Sequence, residues 1–317
     1  MGTILGVPKA CSTKVAHTGQ DSCDFKIDKL TMLILAYDGF KVPASELTDF
    51  ADTLAYLQEK SIAALPKDRC YPIKVIEGYT DNTEAAELIK SPYGNPQKSN
   101  EKPHTAEIDT ENLGIGYWKN LRKFKNQKNL RALWVDTAFI GGQKNADGDL
   151  VPFECTFEAK QVKVGDGAGS ITKNMVDFSL KRATSLSDDL EAVAFDENYD
   201  LSNDIYGILG VELTSPAANV VVAKTAISKE NLFDSYAAAL AVIGAWKLTN
   251  TITGQLITSG VTVAQSPTYK GWIFTGITVP TDFELTNPAA LAAINVGSST
   301  AGGYETEGGV RLGEQTL

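Results

Sequence analysis

Histidine is scarce in this chain: two residues, His17 and His104, among 317. The usual zinc sites need several imidazoles or thiolates held close together, so this supply excludes the commonest His-based arrangements. The four cysteines, Cys11, Cys23, Cys70 and Cys155, contain no C-x-x-C spacing. They read as reduced structural thiols, with a Cys11–Cys23 pair as the alternative. Long apolar runs are missing too. The longest, Ala237–Trp246, is about half of the ~20 residues that span a bilayer, so no membrane partner is expected. The amino end has no apolar core ahead of Cys11 and carries Gly6 where myristoylation wants Ser or Thr. Neither an export signal nor a lipid anchor is expected there.

Positive charge is also in deficit: 29 Lys and Arg face 39 Asp and Glu, a formal net charge of −10. Affinity for nucleic acid comes largely from cations on phosphates, so specific nucleic-acid binding is not expected. The one dense basic cluster is Lys119, Arg122, Lys123, Lys125, Lys128 and Arg131, interleaved with Tyr117, Trp118 and Phe124. Stacking aromatics among cations can mark a nucleic-acid surface. In an acidic chain the cluster reads instead as a solvated helix face whose cations meet acidic surface on an adjacent subunit.

Catalytic signatures are equally thin. Asn145-Ala-Asp147-Gly-Asp149 spaces its acids like a calcium loop, but Leu150 stands where that loop needs Gly and Thr156 where it needs Glu. A hairpin turn accounts for it better. Gly165–Ser170 has the glycines of a phosphate loop without its Lys, and a strand follows rather than a helix. No G-x-S-x-G elbow occurs, and Asp188 and Asp189 lie in a polar loop where water keeps both ionised. No catalytic, cofactor-binding or metal residue is assigned, no cofactor is implied, and the chain does not read as an enzyme.

What is present is β periodicity. Between Arg131 and Lys181, Phe153, Cys155, Phe157 and Ala159 alternate with Glu154, Thr156 and Glu158, and Val176, Phe178 and Leu180 alternate with Asp177 and Ser179. Such period-2 runs have one buried and one wet face, and a three-stranded antiparallel meander is expected. Ser45–Ala64 predicts one amphipathic helix, capped by Ser45 and stopped before Pro66. Residues 80–107 read as a long polar loop and 1–30 as an extended arm. Residues 183–203 read as an exposed excursion, with a hinge at Thr214–Pro216. From 216 to 300 short strands with turns every 8–12 residues suggest a β-sandwich, ending in a loose tail over 301–317. The fold class is mainly β (α+β): a barrel or sandwich over 31–215 with one packed helix, then a smaller sandwich.

The order of arm, strand, helix, polar loop, long-stranded meander and terminal sandwich is similar to tail-tube-type virion proteins of tailed bacteriophages, particularly those of Bacteroidetes hosts. The segments that carry the likeness are Ser91–Pro96, Leu121–Phe124, Leu133–Asp136 and Asn145–Phe153. The resemblance implies a virion subunit, made in the host cytoplasm, that assembles with itself into β-barrel rings through which DNA passes. It also implies loops and arms bound to the next ring and an immunoglobulin-like domain outside. On that reading Glu154, Glu158 and Asp177 line the lumen. A neck, connector or capsid-decorating protein is the alternative within the class. A carbohydrate-binding or adhesion module built on Trp246, Tyr269 and Trp272 is the alternative outside it.

Overall fold

In a computed structural model of the chain the residues described are 29–74, 76–85, 88–90, 96–98, 102–111, 115–164, 172–186, 189–195, 199–298, 300 and 302–312. The arm expected over 1–30 lies almost wholly outside them, as do the Gly165–Ser170 turn and the Cys11–Cys23 alternative. Strand makes up 44% and helix 19%, so the protein is mainly β with an α+β arrangement. It divides into two units, one of Met1–Lys60 and Lys67–Asp204, the other of Ser61–Pro66 and Ile205–Leu317. The division thus falls at 204/205, ahead of the expected 215/216.

The first unit runs β1 (Met32–Tyr37), α1 (Phe50–Ser61), β2 (Cys70–Ile73), β3 (Ile76–Asp81), β4 (Leu88–Lys90), β5 (Pro96–Lys98), β6 (Thr105–Glu111), α2 (Ile115–Leu121), β7 (Leu130–Val135), β8 (Phe139–Lys144), β9 (Leu150–Val151), β10 (Phe153–Lys163), β11 (Lys173–Leu180), β12 (Glu191–Ala194) and α3 (Leu201–Asp204). Its main sheet has the order β12-β8-β7-β10-β11-β6-β3, with β1 and then β2 branching from β7. β7 is the hub. One of its edges pairs along its whole length with β1. On the other, Trp134 and Val135 pair with β8, while Arg131 and Ala132 pair with the start of β10. From Cys155 onward β10 leaves β7 and pairs with β11. This change of partner folds the sheet over a single core containing Leu33, Leu35, Ile108, Trp134, Phe153, Phe157, Val176 and Phe178.

Several expectations need correction. The antiparallel order of the meander stands as β7-β10-β11, but its first run is two strands, β7 and β8, of which β10 lies beside β7. The helix expected over 45–64 is a 3-10 turn, Ala44–Leu47, followed by α1, and its cap is Asp49, whose Oδ1 accepts from Ala51 N at 3.2 Å. Tyr71–Tyr79, which from its residues alone reads as one strand, is two: β2 pairs with β1, and β3 pairs with β6. β2 and β3 do not pair with each other, and no sheet among the described residues closes into a barrel. The polar loop 80–107 shrinks, since the hairpin of β4 and β5 and the start of β6 fall within it. In β6, Ala106 and Ile108 face the core while Glu107 and Asp109 face away, the same period-2 logic in a more acidic setting. The excursion over 183–203 likewise holds β12 and most of α3.

β1 is buried on both faces. Leu33 and Leu35 enter the core just described, while Met32, Ile34 and Ala36, at 0% exposure, face the other way. That second face is covered by α1: Cys70, opposite Ala36 in the ladder, donates its Sγ–H to the carbonyl of Leu57 at 3.3 Å. The α2 side closes the opposite face. Leu121 is part of the core, and Phe124, in the 3-10 turn Arg122–Phe124 that continues α2, meets Tyr71 and Phe157 edge-on at 5.3 and 6.0 Å. Tyr71 is opposite Leu35 and one residue from Cys70, so α1 and the α2 segment lie on opposite faces of the β2-β1-β7 sheet.

The second unit is a two-layer sandwich. β13 (Ile208–Ala217), β14 (Val220–Thr225), α4 (Leu232–Tyr236), β15 (Trp246–Asn250), β16 (Thr262–Ser266), β17 (Gly271–Thr275), β18 (Thr281–Leu285), α5 (Pro288–Ala293), β19 (Gly303–Gly308) and β20 (Val310–Leu312) follow in order. One sheet is β16-β17-β14-β13-β19, the other β15-β18-β20. Ring contacts cross between them, with Trp246 on Phe274 at 5.1 Å and Phe274 on Phe283 at 4.7 Å. The hinge expected at Thr214–Pro216 lies inside β13, where the register shifts between Thr214 and Ala217, a place that tolerates Pro216. The tail expected over 301–317 contributes β19, parallel to β13, and β20.

Candidate assembly face

The alternation along β10 and β11 places Glu154, Glu158 and Asp177 on the side away from the core, each partly or well exposed. The ladder brings two of them together with a third carboxylate. Glu158 is opposite Asp177, and Asp177 is opposite Glu107 on β6. Like charges in adjacent strands repel, and the face answers with cations. Lys160 Nζ reaches Asp177 Oδ1 at 3.3 Å and Glu107 Oε2 at 3.5 Å, and its hydrogen bond and attraction to Asp177 raise its pKa. Lys173 stands 3.6 Å from Asp109 and 3.9 Å from Glu77. At the margins Lys125 pairs with Glu158 at 2.9 Å and Arg131 with Glu154 at 3.4 Å. The proposed lumen carboxylates therefore share one sheet face, a ladder of mixed charge rather than a purely acidic wall.

The hairpin of β10 and β11 runs past the core. Its last paired residues are Lys163 and Lys173, and Val162 and Val164 are 38% and 74% exposed. At the far side, β3 has no neighbour beyond β6 among the described residues, and neither has β12 beyond β8. Unpaired edges of this kind present free N–H and C=O groups to another chain.

Next to β3 lies a cluster that sequence reasoning missed. His104 Nε2 is hydrogen-bonded to the Tyr79 hydroxyl, Nδ1 lies 3.0 Å from Thr83 Oγ1, and Asp81 Oδ1 stands 3.9 Å from Nδ1. Trp134 meets both rings edge-on at 5.9 and 6.0 Å. Burial lowers the pKa of His104 and raises that of Tyr79. Through the Thr83–His104 contact the cluster ties the two ends of the 84–103 segment together. The sequence carries no local signal for the cluster, because the contact depends on the pairing of β3 with β6.

The Asn145–Asp149 segment is a turn joining β8 and β9. Asp149 accepts from Lys41 Nζ at 2.6 Å, Asn145 Nδ2 at 3.0 Å and Ala44 N at 3.0 Å, and these bonds, led by that of Lys41, hold its pKa down at about 2. With its oxygens occupied this way the turn is a structural clasp. In the second unit Trp246 and Trp272 are core residues, 5% and 0% exposed, whose indole N–H groups donate to Leu240 and Ala237 carbonyls. Of the three aromatics considered for a glycan platform, only Tyr269 is exposed, at 45%. No family model matches the sequence, and no curated protein is detectably similar to it.

Proposed function

We propose that this chain is a structural subunit of a virion, of the tail-tube type of tailed bacteriophages, that assembles with copies of itself into rings through which DNA passes. The observation that carries this reading is the four-stranded face of β10, β11, β6 and β3, wet and charged on one side and ending at the edge of β3, unpaired among the described residues. A ring that surrounds an aqueous channel needs a sheet of this kind, with strands long enough to bridge between subunits and a polar inner face. In the ring Glu154, Glu158 and Asp177 face the lumen, where carboxylates weaken the hold of the wall on DNA phosphates. The chain does no chemistry in this role and carries no cofactor. A neck, connector or capsid-decorating protein would use the same edges with a different stacking. A glycan-binding module is disfavoured by the burial of Trp246 and Trp272.

Electron microscopy of the purified protein at high concentration tests the reading. Stacked rings or tubes support it, single rings or lattice points favour the alternative virion roles, and dispersed monomers at every concentration refute it.

A further inference from the structure

The two helical segments of the first unit carry opposite charge. Glu46, Asp49 and Asp52 lie on the 3-10 turn and first turn of α1, with Asp49 and Asp52 exposed. Their hydrogen bonds are local, to Ser45, Ala51 and Thr48. Lys41, close to this end of the helix, is committed to Asp149. On the α2 segment Lys119, Arg122, Lys123 and Lys128 are exposed. Lys125 is taken by Glu158, while Lys119, Arg122 and Lys128 form no ion pair among the described residues. The acidic and basic segments cover opposite faces of the β2-β1-β7 sheet, as the Cys70–Leu57 bond and the Phe124–Tyr71 contact establish.

We infer that copies of this chain associate head to tail, the acidic α1 end of one against the basic α2 segment of the next. This rests on the self-assembly proposed above and adds a second pair of mating surfaces to the sheet edges. A two-fold contact through either surface would set like charges against each other. A head-to-tail contact pairs opposite charges at every junction. Because the two surfaces are different and lie on opposite sides, such a contact repeats, closing into a ring or running on as a filament. Charge placement thus selects the polymer over the two-fold dimer, and it also steers the encounter.

Two charge-altered variants of the full chain provide the test. The first carries Glu46→Lys and Asp52→Lys with Asp49→Asn, which keeps the helix cap; the second carries Lys119→Glu, Arg122→Glu and Lys128→Glu. Assembly is read by sedimentation velocity and microscopy, with folding checked by circular dichroism. Each variant alone is expected to need at least about tenfold higher concentration to assemble, about 1.4 kcal/mol per contact. Their equimolar mixture should assemble alternately, and the chain carrying both sets of changes should assemble alone. Wild-type assembly should weaken as salt shortens the Debye length from about 10 Å at 0.1 M towards about 3 Å at 1 M. Assembly of either variant at wild-type concentrations overturns the inference, as does a mixture of folded variants that stays dispersed. A wild-type chain that never assembles refutes the underlying function, so the two failures are distinct. If a triple variant melts without cooperativity, Asp52→Lys and Arg122→Glu carry the same comparison.

Discussion

The imidazole of His104 lies nearly parallel to the ring of Tyr79, at 6.0 Å between centroids and 9° between planes, with its Nε2 bonded to the phenol. With Nε2 accepting from Tyr79, the remaining proton sits on Nδ1, directed at Thr83 Oγ1. That hydroxyl also accepts from Thr105 N at 3.1 Å. Protonating the ring requires the phenol to turn from donor to acceptor, and burial opposes the charge; among the described residues Asp81 is the carboxylate facing it.

The folded state therefore binds this proton more weakly than the unfolded chain does. The contribution of His104 to stability is complete above about pH 6.5 and is lost as the pH falls through the lowered folded value. NMR titration of the imidazole should report a midpoint below that of an exposed histidine. His104→Gln should flatten the slope of stability against pH just below neutrality. An unshifted midpoint would show that the clasp is open in solution.

Asp149 gives the opposite end of the pH scale. Its folded pKa, about 2, is depressed by Lys41, Asn145 and the Ala44 amide. Its contribution is present above the unfolded value of about 3.9 and is lost as the pH falls towards the folded one. Thermal melts should show the Tm falling between about pH 4 and about pH 2, with Asp149→Asn lower at neutral pH and flatter over that interval. Wild-type behaviour in the variant would mean that the turn holds without the carboxylate.

Trp272 is fully buried between Phe233 and Trp246, with ring centroids 5.5 Å away on each side. Trp272→Ala should cost about 3–5 kcal/mol through the lost contacts and the cavity left behind. Hydrogen exchange should show the loss in β13–β20, with β6, β10 and β11 still protected. Equal loss of protection in the first unit would mean that the two unfold as one.

Replacing Glu154, Glu158 and Asp177 by Lys tests the lumen assignment. The surface pairs they form with Lys125 and Lys160 are each worth about 0–1 kcal/mol, and part-buried Arg131 keeps its pair with Asp38 when Glu154 is replaced, so the subunit should fold and assemble. Assemblies of the variant should retain labelled DNA at low salt, where wild-type assemblies release it. Fluorescence anisotropy distinguishes the two. Equal release by both would place these carboxylates away from the path of the nucleic acid.

The legible parts of the fold were those whose signal is local. Phe153, Cys155 and Phe157 alternating with Glu154, Thr156 and Glu158 identify β10 and its wet face without reference to any other strand. β6 escaped because Ala106 and Ile108 are its only strong apolar marks among Glu107, Asp109 and Glu111, so its composition resembles a loop. The helix over 45–64 was read in the right place, but Pro43 and the turn after it shift the helical start to Phe50 and the cap to Asp49. His104 looked isolated because Tyr79 is 25 residues away along the chain and adjacent only through the β3–β6 ladder.

By itself the amino-acid order determined which residues turn inward and which meet water, since side-chain direction follows from periodicity within each strand. Only the tertiary structure decided that β10 lies beside β7, that Tyr79 meets His104, and that acidic and basic helical segments stand on opposite sides of one sheet. Those outcomes depend on which edge each strand finds, and that choice is made by a shared core drawing on residues more than a hundred positions apart, from Leu33 to Phe178.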